Sequence, residues 1–170
     1  MQNTHIALLR SQDIPIIVAG FKKSGWQIKP TSLFERYLKE QNKGARQCFV
    51  AFCGELFAGY VTLKWHSAYK PFVQNNTPEI SDLNVLPAFR RHGIGTRLIE
   101  KCEAKAVTQS RVVGIGVGLY ADYGSAQRLY VKRGYIPDER GATYQYKAVM
   151  PGESYPIDDD LIVWFTKTLS

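Results

Sequence analysis

Arg90, Arg91 and His92 stand directly before Gly93-Ile94-Gly95-Thr96, between an extended run that closes at Pro87 and an amphipathic segment. Two cations and a histidine at a helix start whose first turn holds glycines suit one kind of ligand, an anion. The first N–H groups of a helix have no intrahelical acceptor, and the macrodipole adds positive potential there. Missing Cβ atoms at Gly93 and Gly95 let a ligand come close, so the segment from Arg90 to Thr96 points to a phosphate or pyrophosphate. An ordinary basic helix start is the alternative. Other phosphate devices are excluded: neither Gly93-Ile94-Gly95 nor Gly114-Ile115-Gly116 continues to the third glycine of a dinucleotide fingerprint, and no G-x-x-x-x-G-K-[ST] occurs.

The remaining reactive residues narrow the chemistry. His5, His66 and His92 are scattered, without H-E-x-x-H or carboxylates at ligand spacing, so no metal centre is expected. Cys48, Cys53 and Cys102 are odd in number and lack C-x-x-C spacing, which argues against a disulfide framework or zinc. They fall in expected strand or helix-core positions, and with no G-x-S-x-G elbow a covalent acyl-enzyme is not indicated. Asp158-Asp159-Asp160 reads as a solvated charged turn.

The elements that must position these residues follow from periodicity. A strand is expected over 5–10, then a helix capped by Asp13 with Pro15 in its first turn and a stop at Ser24-Gly25. Leu33, Phe34, Tyr37 and Leu38 share one face of a second helix that Gly44 ends. Residues 47–53 and 56–65 form a hairpin about Gly54-Glu55, followed by a loop over 66–78. A strand over 79–86 leads into a helix with Ile94, Leu98, Cys102 and Ala106 on one face and Arg97, Lys101 and Lys105 on the other. A strand over 111–117, a helix over 125–133, and strands over 143–149 and 161–166 complete the order β-αα-βββ-α-β-α-ββ. That order predicts an α/β fold with a mixed, mostly antiparallel central sheet and helices on both faces, with a parallel crossover from 79–86 to 111–117.

Arg90-x-x-Gly93-x-Gly95, preceded by Leu83-x-Val85-x-Pro87, resembles the acetyl-CoA signature of the GCN5-related N-acetyltransferase (GNAT) family. Ala126-x-x-Leu129-Tyr130-x-Lys132-x-Gly134-Tyr135 stands where that family's second cofactor motif belongs, and the element order matches over 4–169. The resemblance implies the acyl-CoA N-acyltransferase fold and a single N-acetyltransferase domain over 1–170. It further implies acetyl transfer to a primary amine by direct attack in a ternary complex, releasing coenzyme A. It places pantetheine at the main chain of Asn84 and Val85 and the pyrophosphate on Arg90, Arg91, His92, Gly93, Ile94, Gly95 and Thr96, with Ala126 as a further cofactor contact. It gives Glu79 the place of a general base and Tyr130 that of the proton donor to the thiolate. A regular strand turns Asp82 to the face opposite Glu79, whereas a bulge near Asn84 changes which residues share a face. Asp82 is therefore the second candidate base, or an anchor for the acceptor's ammonium. One departure from the pattern is Tyr123, which stands where an asparagine is common.

Composition fits this reading. The chain has 170 residues, 45% hydrophobic and 22% charged, the profile of one folded domain rather than a disordered chain. Its net charge of +7 favours an anionic ligand. The basic residues are dispersed and lack an RNP-type aromatic motif, so a nucleic-acid-binding module ranks below a catalytically silent acyl-CoA sensor, and both below the enzyme. With no apolar run of spanning length and no signal-peptide pattern at the start, the expectation is a cytoplasmic protein without a membrane partner. The expected partner is a small-molecule or peptide amine, and a homodimer is left open.

Overall fold

The computed structural model describes residues 4–170. The chain divides into two compact units, one made of the residues up to Lys64 together with Ile80–Lys105, the other of Trp65–Glu79 and Ala106–Ser170. The fold is mixed α/β, with mostly antiparallel strands.

The first unit is built on β1 (Thr4–Leu8), α1 (Ile14–Ser24), α2 (Thr31–Asn42), β2 (Arg46–Cys53), β3 (Leu56–Lys64), β4 (Glu79–Val85, from Ile80 on) and α4 (Ile94–Ala106). Its strands run in the order β1-β2-β3-β4. β1 and β2 pair antiparallel, as do β2 and β3, with Val50 opposite Ala7 and Tyr60. Gly54, at φ +60°, closes the β2–β3 hairpin in a conformation that a side chain resists. Ile14, Ile17 and Phe21 recur at helical spacing on α1 and pack with Phe34 and Tyr37 of α2 over Cys48, Val50, Phe57 and Tyr60 of the strands. Phe34 meets Tyr60 edge to face at 5.2 Å, an aromatic geometry favoured by the ring quadrupoles. Asp13 stands before α1 as expected, yet its carboxylate turns back to accept hydrogen bonds from Arg10 N and Nη2, both at 2.9 Å, and does not cap the helix.

The second unit holds α3 (Lys70–Gln74), β5 (Val112–Gly118), α5 (Gly124–Lys132), β6 (Ile136–Tyr144), β7 (Lys147–Ala148) and β8 (Leu161–Thr168). Its strands are ordered β5-β8-β6-β7. β8 pairs antiparallel with β5 at Phe165–Ile115 and with β6 at Ile162–Thr143. Two expectations are corrected here. The segment 66–78 is not all loop: α3 forms one turn with Pro71 near its start, because Phe72 gains a buried place against Trp164. The strand expected over 143–149 is instead a hairpin of β6 and β7 that turns at Gln145 and Tyr146. β6 carries a register shift between Pro137 and Ala142, with Glu139 at φ +65°, so its burial never alternates and period-two reading missed it.

Candidate active site

β4 ends in a turn that satisfies the requirements for an anion. A single 3-10 turn, Pro87–Phe89, follows the strand, and Arg91 and Gly93 then take left-handed φ values of +64° and +75°. The α4 ladder begins with Arg97 N–H donating to Gly93 O at 3.0 Å, so the N–H groups of Ile94, Gly95 and Thr96 have no helical acceptor. No acidic residue occupies the first turn, nothing lies within 4 Å of the position a Gly93 Cβ would take, and Arg90, Arg91 and His92 are exposed. A pyrophosphate fits this donor set. Upstream, a Cβ on Gly59 would sit 2.4 Å from Asn84 O and 3.1 Å from Val85 Cα, so only glycine lets β3 come this close to the main chain that the resemblance assigns to pantetheine. Arg90 has a more particular placement: Nε donates to Val85 O at 3.0 Å, and the guanidinium lies 4.4 Å from the Trp26 ring centroid. Arg90 thus orders the end of β4 as well as adding positive charge to the turn.

Of the two geometries left open for β4, a regular strand or a bulge near Asn84, the backbone at Asp82 departs from the regular one. Its φ of +53° breaks the regular strand, an unusual conformation for a residue with a side chain. The carboxylate is then surrounded by donors: Tyr37 Oη at 2.8 Å, Tyr60 Oη, Asn84 Nδ2 at 2.8 Å and Lys29 Nζ at 3.5 Å. Burial first, and the Asp82 charge next, push both tyrosine phenols well above the usual value. They therefore stay donors. The cluster clamps Asn84, which is buried, against the bulge.

In the second unit, Glu79 is buried at 4% exposure and accepts a hydrogen bond from Ser67 Oγ, which in turn accepts from Tyr69 N–H at 3.0 Å. Tyr69 stacks on Trp164 with centroids 4.3 Å apart and planes within 5°, while its hydroxyl donates to Asp138 Oδ2 at 2.7 Å. Tyr130 and Ala126 occupy the same face of α5, one turn apart. Burial alone pushes the Tyr130 phenol well up, so it holds its proton at neutral pH. Tyr123, at the place of the family's asparagine, lies flat over Gly118, where a Cβ would be 2.4 Å from its ring, and donates to Asp159 at 2.8 Å. Asp158, Asp159 and Asp160 accept bonds from Tyr144, Tyr120, Tyr123 and Gln145, so the acidic turn is not merely solvated. Spacing gave no sign of Tyr146, whose ring stacks on Trp164 at 5.9 Å. Among the remaining aromatic residues, Trp26 and Tyr37 pack with the first unit's core, and Tyr69 and Phe72 with Trp164 in the second.

Among the described residues no His, Cys, Asp and Glu group is arranged to hold a metal, and no helix is long and apolar enough to cross a membrane.

Comparison with known proteins bears on the family and the fold. Residues 13–135, well over half of the chain, match the acetyltransferase (GNAT) family. A search of curated proteins found no match. Among solved structures, the chain is similar to an N-acetyltransferase from Staphylococcus aureus Mu50, with a TM-score of 0.72 at 16% identity over 99% of both chains. It is similar also to YncA from Salmonella typhimurium, solved with its cofactor acetyl-CoA, at a TM-score of 0.68 and 17% identity over 98% of this chain and 94% of that one. A third is the Salmonella typhimurium acetyltransferase that modifies the N-terminal serine of ribosomal protein L7/L12, at a TM-score of 0.73 and 11% identity over 100% of this chain and 97% of that one. At these identities the likeness is one of fold. The family match over most of the chain leads to one conclusion: the chain belongs to the acetyltransferase (GNAT) family and is an acetyl-CoA-dependent N-acetyltransferase.

Proposed function

We propose that the chain acetylates a primary amine of a small molecule or peptide by direct attack in a ternary complex, with Glu79 as the base and Tyr130 as the proton donor. Acetyl-CoA, when bound, supplies an activated acetyl group and a thiolate that can leave. The residues that would hold it are the main chain of Asn84 and Val85, the turn from Arg90 to Thr96 and, on α5, Ala126. As the amine nitrogen bonds to the acetyl carbon and the carbon–sulfur bond breaks, one proton must leave nitrogen and one must reach sulfur. Glu79 takes the first and Tyr130 Oη gives the second.

The observation that carries this reading is the buried Glu79 carboxylate, 4% exposed and oriented by the Ser67 hydroxyl. An alkylamine is mostly protonated at neutral pH, with a reference pKa of about 10.4, and a sheltered carboxylate is the group that can deprotonate it. Asp82 is the second candidate, because donors from Tyr37, Tyr60, Asn84 and Lys29 already occupy its oxygens. Its role in this reading is to position Asn84. The matched span 13–135 takes residues from both units, which supports treating the chain as one acetyltransferase domain.

The test is thiol release with acetyl-CoA against a panel of amines. Glu79→Gln is expected to lower kcat/KM on the order of 100-fold, with the loss reduced at alkaline pH, where more amine is already neutral. Acetyl-CoA binding without turnover on any amine would instead restore the silent sensor.

A further inference from the structure

The segment beside Glu79 is fixed by more contacts than a connector needs. The main chain of Tyr69 is held on both sides: its N–H donates to Ser67 Oγ at 3.0 Å, and its carbonyl accepts from Phe72 N–H at 2.9 Å and Val73 N–H at 3.0 Å. Its buried ring stacks on Trp164 and meets Phe72 edge to face at 5.0 Å. Trp164 is held in turn, since its Nε1–H donates to Thr143 Oγ1 at 2.8 Å.

The far end of the Tyr69 ring is tethered as well. Its hydroxyl donates to Asp138 Oδ2 at 2.7 Å, and Asp138 Oδ1 accepts from Arg140 N–H at 3.1 Å, in the stretch where β6 shifts register between Pro137 and Ala142. Burial first, then the hydrogen bond and the charge of Asp138, push the Tyr69 phenol up, with the Arg140 charge opposing them, so the hydroxyl stays a donor.

This tether bears on Glu79 through one proton. A serine hydroxyl carries a single proton and two lone pairs, and it rotates to suit its neighbours. The Tyr69 N–H claims one lone pair, so the Ser67 proton turns away from it and is given to the Glu79 carboxylate, which can only accept. The aim of that hydroxyl is as steady as the Tyr69 main chain that sets it.

We propose that Tyr69 and Asp138 are positioning residues for acetyl transfer: the bond between them keeps the Ser67 hydroxyl directed at Glu79, and so holds in place the carboxylate that takes the amine's proton. This inference rests on the reading of Glu79 as the base. Neither residue touches the reacting atoms; both act through Ser67 and Glu79.

The test measures kcat and the KM for acetyl-CoA by thiol release on the full chain, with butylamine and a peptide amine as acceptors. Tyr69→Phe keeps the ring and its stack while removing the bond to Asp138, and Asp138→Ala removes the same bond from the other side. Each is expected to lower kcat about 10-fold with the KM for acetyl-CoA unchanged, and Asp138→Asn, which keeps an acceptor oxygen, to recover most of the loss. In a Glu79→Gln background Tyr69→Phe is expected to cost less than about twofold, because an effect passed through the carboxylate vanishes with it, whereas a general loosening of the fold would cost the same in both backgrounds. Denaturant melts of each variant check that the chain is folded. An unchanged kcat in Tyr69→Phe, or the same loss with and without Glu79, would overturn the positioning role while leaving Glu79 as the base. A Glu79→Gln variant as active as the wild type, or no thiol release with either amine despite calorimetric binding of acetyl-CoA, would remove the reading of Glu79 and this inference with it.

Discussion

At the scale of single residues, burial keeps the Tyr130 phenol protonated, a state that a proton donor requires and a packing tyrosine shares, so kinetics must separate the two. Its only perturbation is burial, which disfavours the phenolate and raises the pKa. A donor with a raised pKa keeps its proton up to and beyond the ordinary tyrosine value of about 10, and loses it only above that. The kcat profile is therefore expected to show no decline attributable to Tyr130 between neutral pH and about pH 10. Tyr130→Phe should lower kcat on the order of 100-fold with little change in the KM for acetyl-CoA, and an unchanged kcat would leave Tyr130 a packing residue. Arg90 has two duties: its exposed position supplies charge at the turn, and its bond to Val85 O orders the strand end. Arg90→Ala is expected to weaken acetyl-CoA binding by about 1–3 kcal/mol in calorimetry without unfolding the chain. The turn after β4 was legible as a turn because its proline and glycines mark it locally. The place of Tyr146 was not, since it comes from a Trp164 contact that joins positions 18 residues apart in sequence.

Among the elements, β4 shows how backbone and chemistry are joined. The bulge at Asp82 breaks the alternation of the strand, and the Asp82 cluster then holds Asn84 while Gly59 lets β3 approach. Gly59→Ala would drive a Cβ into the Asn84 carbonyl, and backbone cannot yield as a flexible side chain can. It is expected to cost about 1–3 kcal/mol of stability and to weaken acetyl-CoA binding, measured by denaturant melts and calorimetry on the same preparation. A variant that binds as tightly as the wild type would separate this close approach from the cofactor. The β2–β3 hairpin was readable because Gly54 announces its turn, whereas the β6–β7 hairpin turns on Gln145 and Tyr146, which carry no local signal. Likewise α3 is too short to show a period, and it forms because Phe72 packs on Trp164 and fills the space left by Gly114, where a Cβ would lie 2.1 Å from the ring.

For the whole molecule, the raised tyrosines set a limit on alkaline stability. Tyr37 and Tyr60 in the first unit and Tyr130 in the second are all pushed up, in each case chiefly by burial. Above the unfolded value of about 10 the unfolded chain releases phenolic protons that the folded chain retains, so the tyrosines' contribution is intact below that pH and lost as pH rises through and beyond it. The buried thiols of Cys48 and Cys102 are pushed up as well, so the same loss begins earlier for them, above an unfolded value of about 8.5. Denaturant melts at a series of pH values should show a first decline above about pH 8.5 that Cys48→Ala reduces and a steeper one above about pH 10 that Tyr37→Phe reduces; a Tyr37→Phe profile parallel to the wild type above about pH 10 would contradict the burial of that phenol. What the amino-acid sequence determined by itself was the family and the order of elements apart from α3 and the β6–β7 hairpin, because these rest on local periodicity and on motif residue types. The tertiary structure alone decided that donors occupy the Asp82 oxygens, that Tyr123 is packed over Gly118, and that Tyr146 stands on Trp164. Those outcomes depend on which distant side chains meet and on φ values that only long-range packing can sustain, and no spacing along a single chain encodes them.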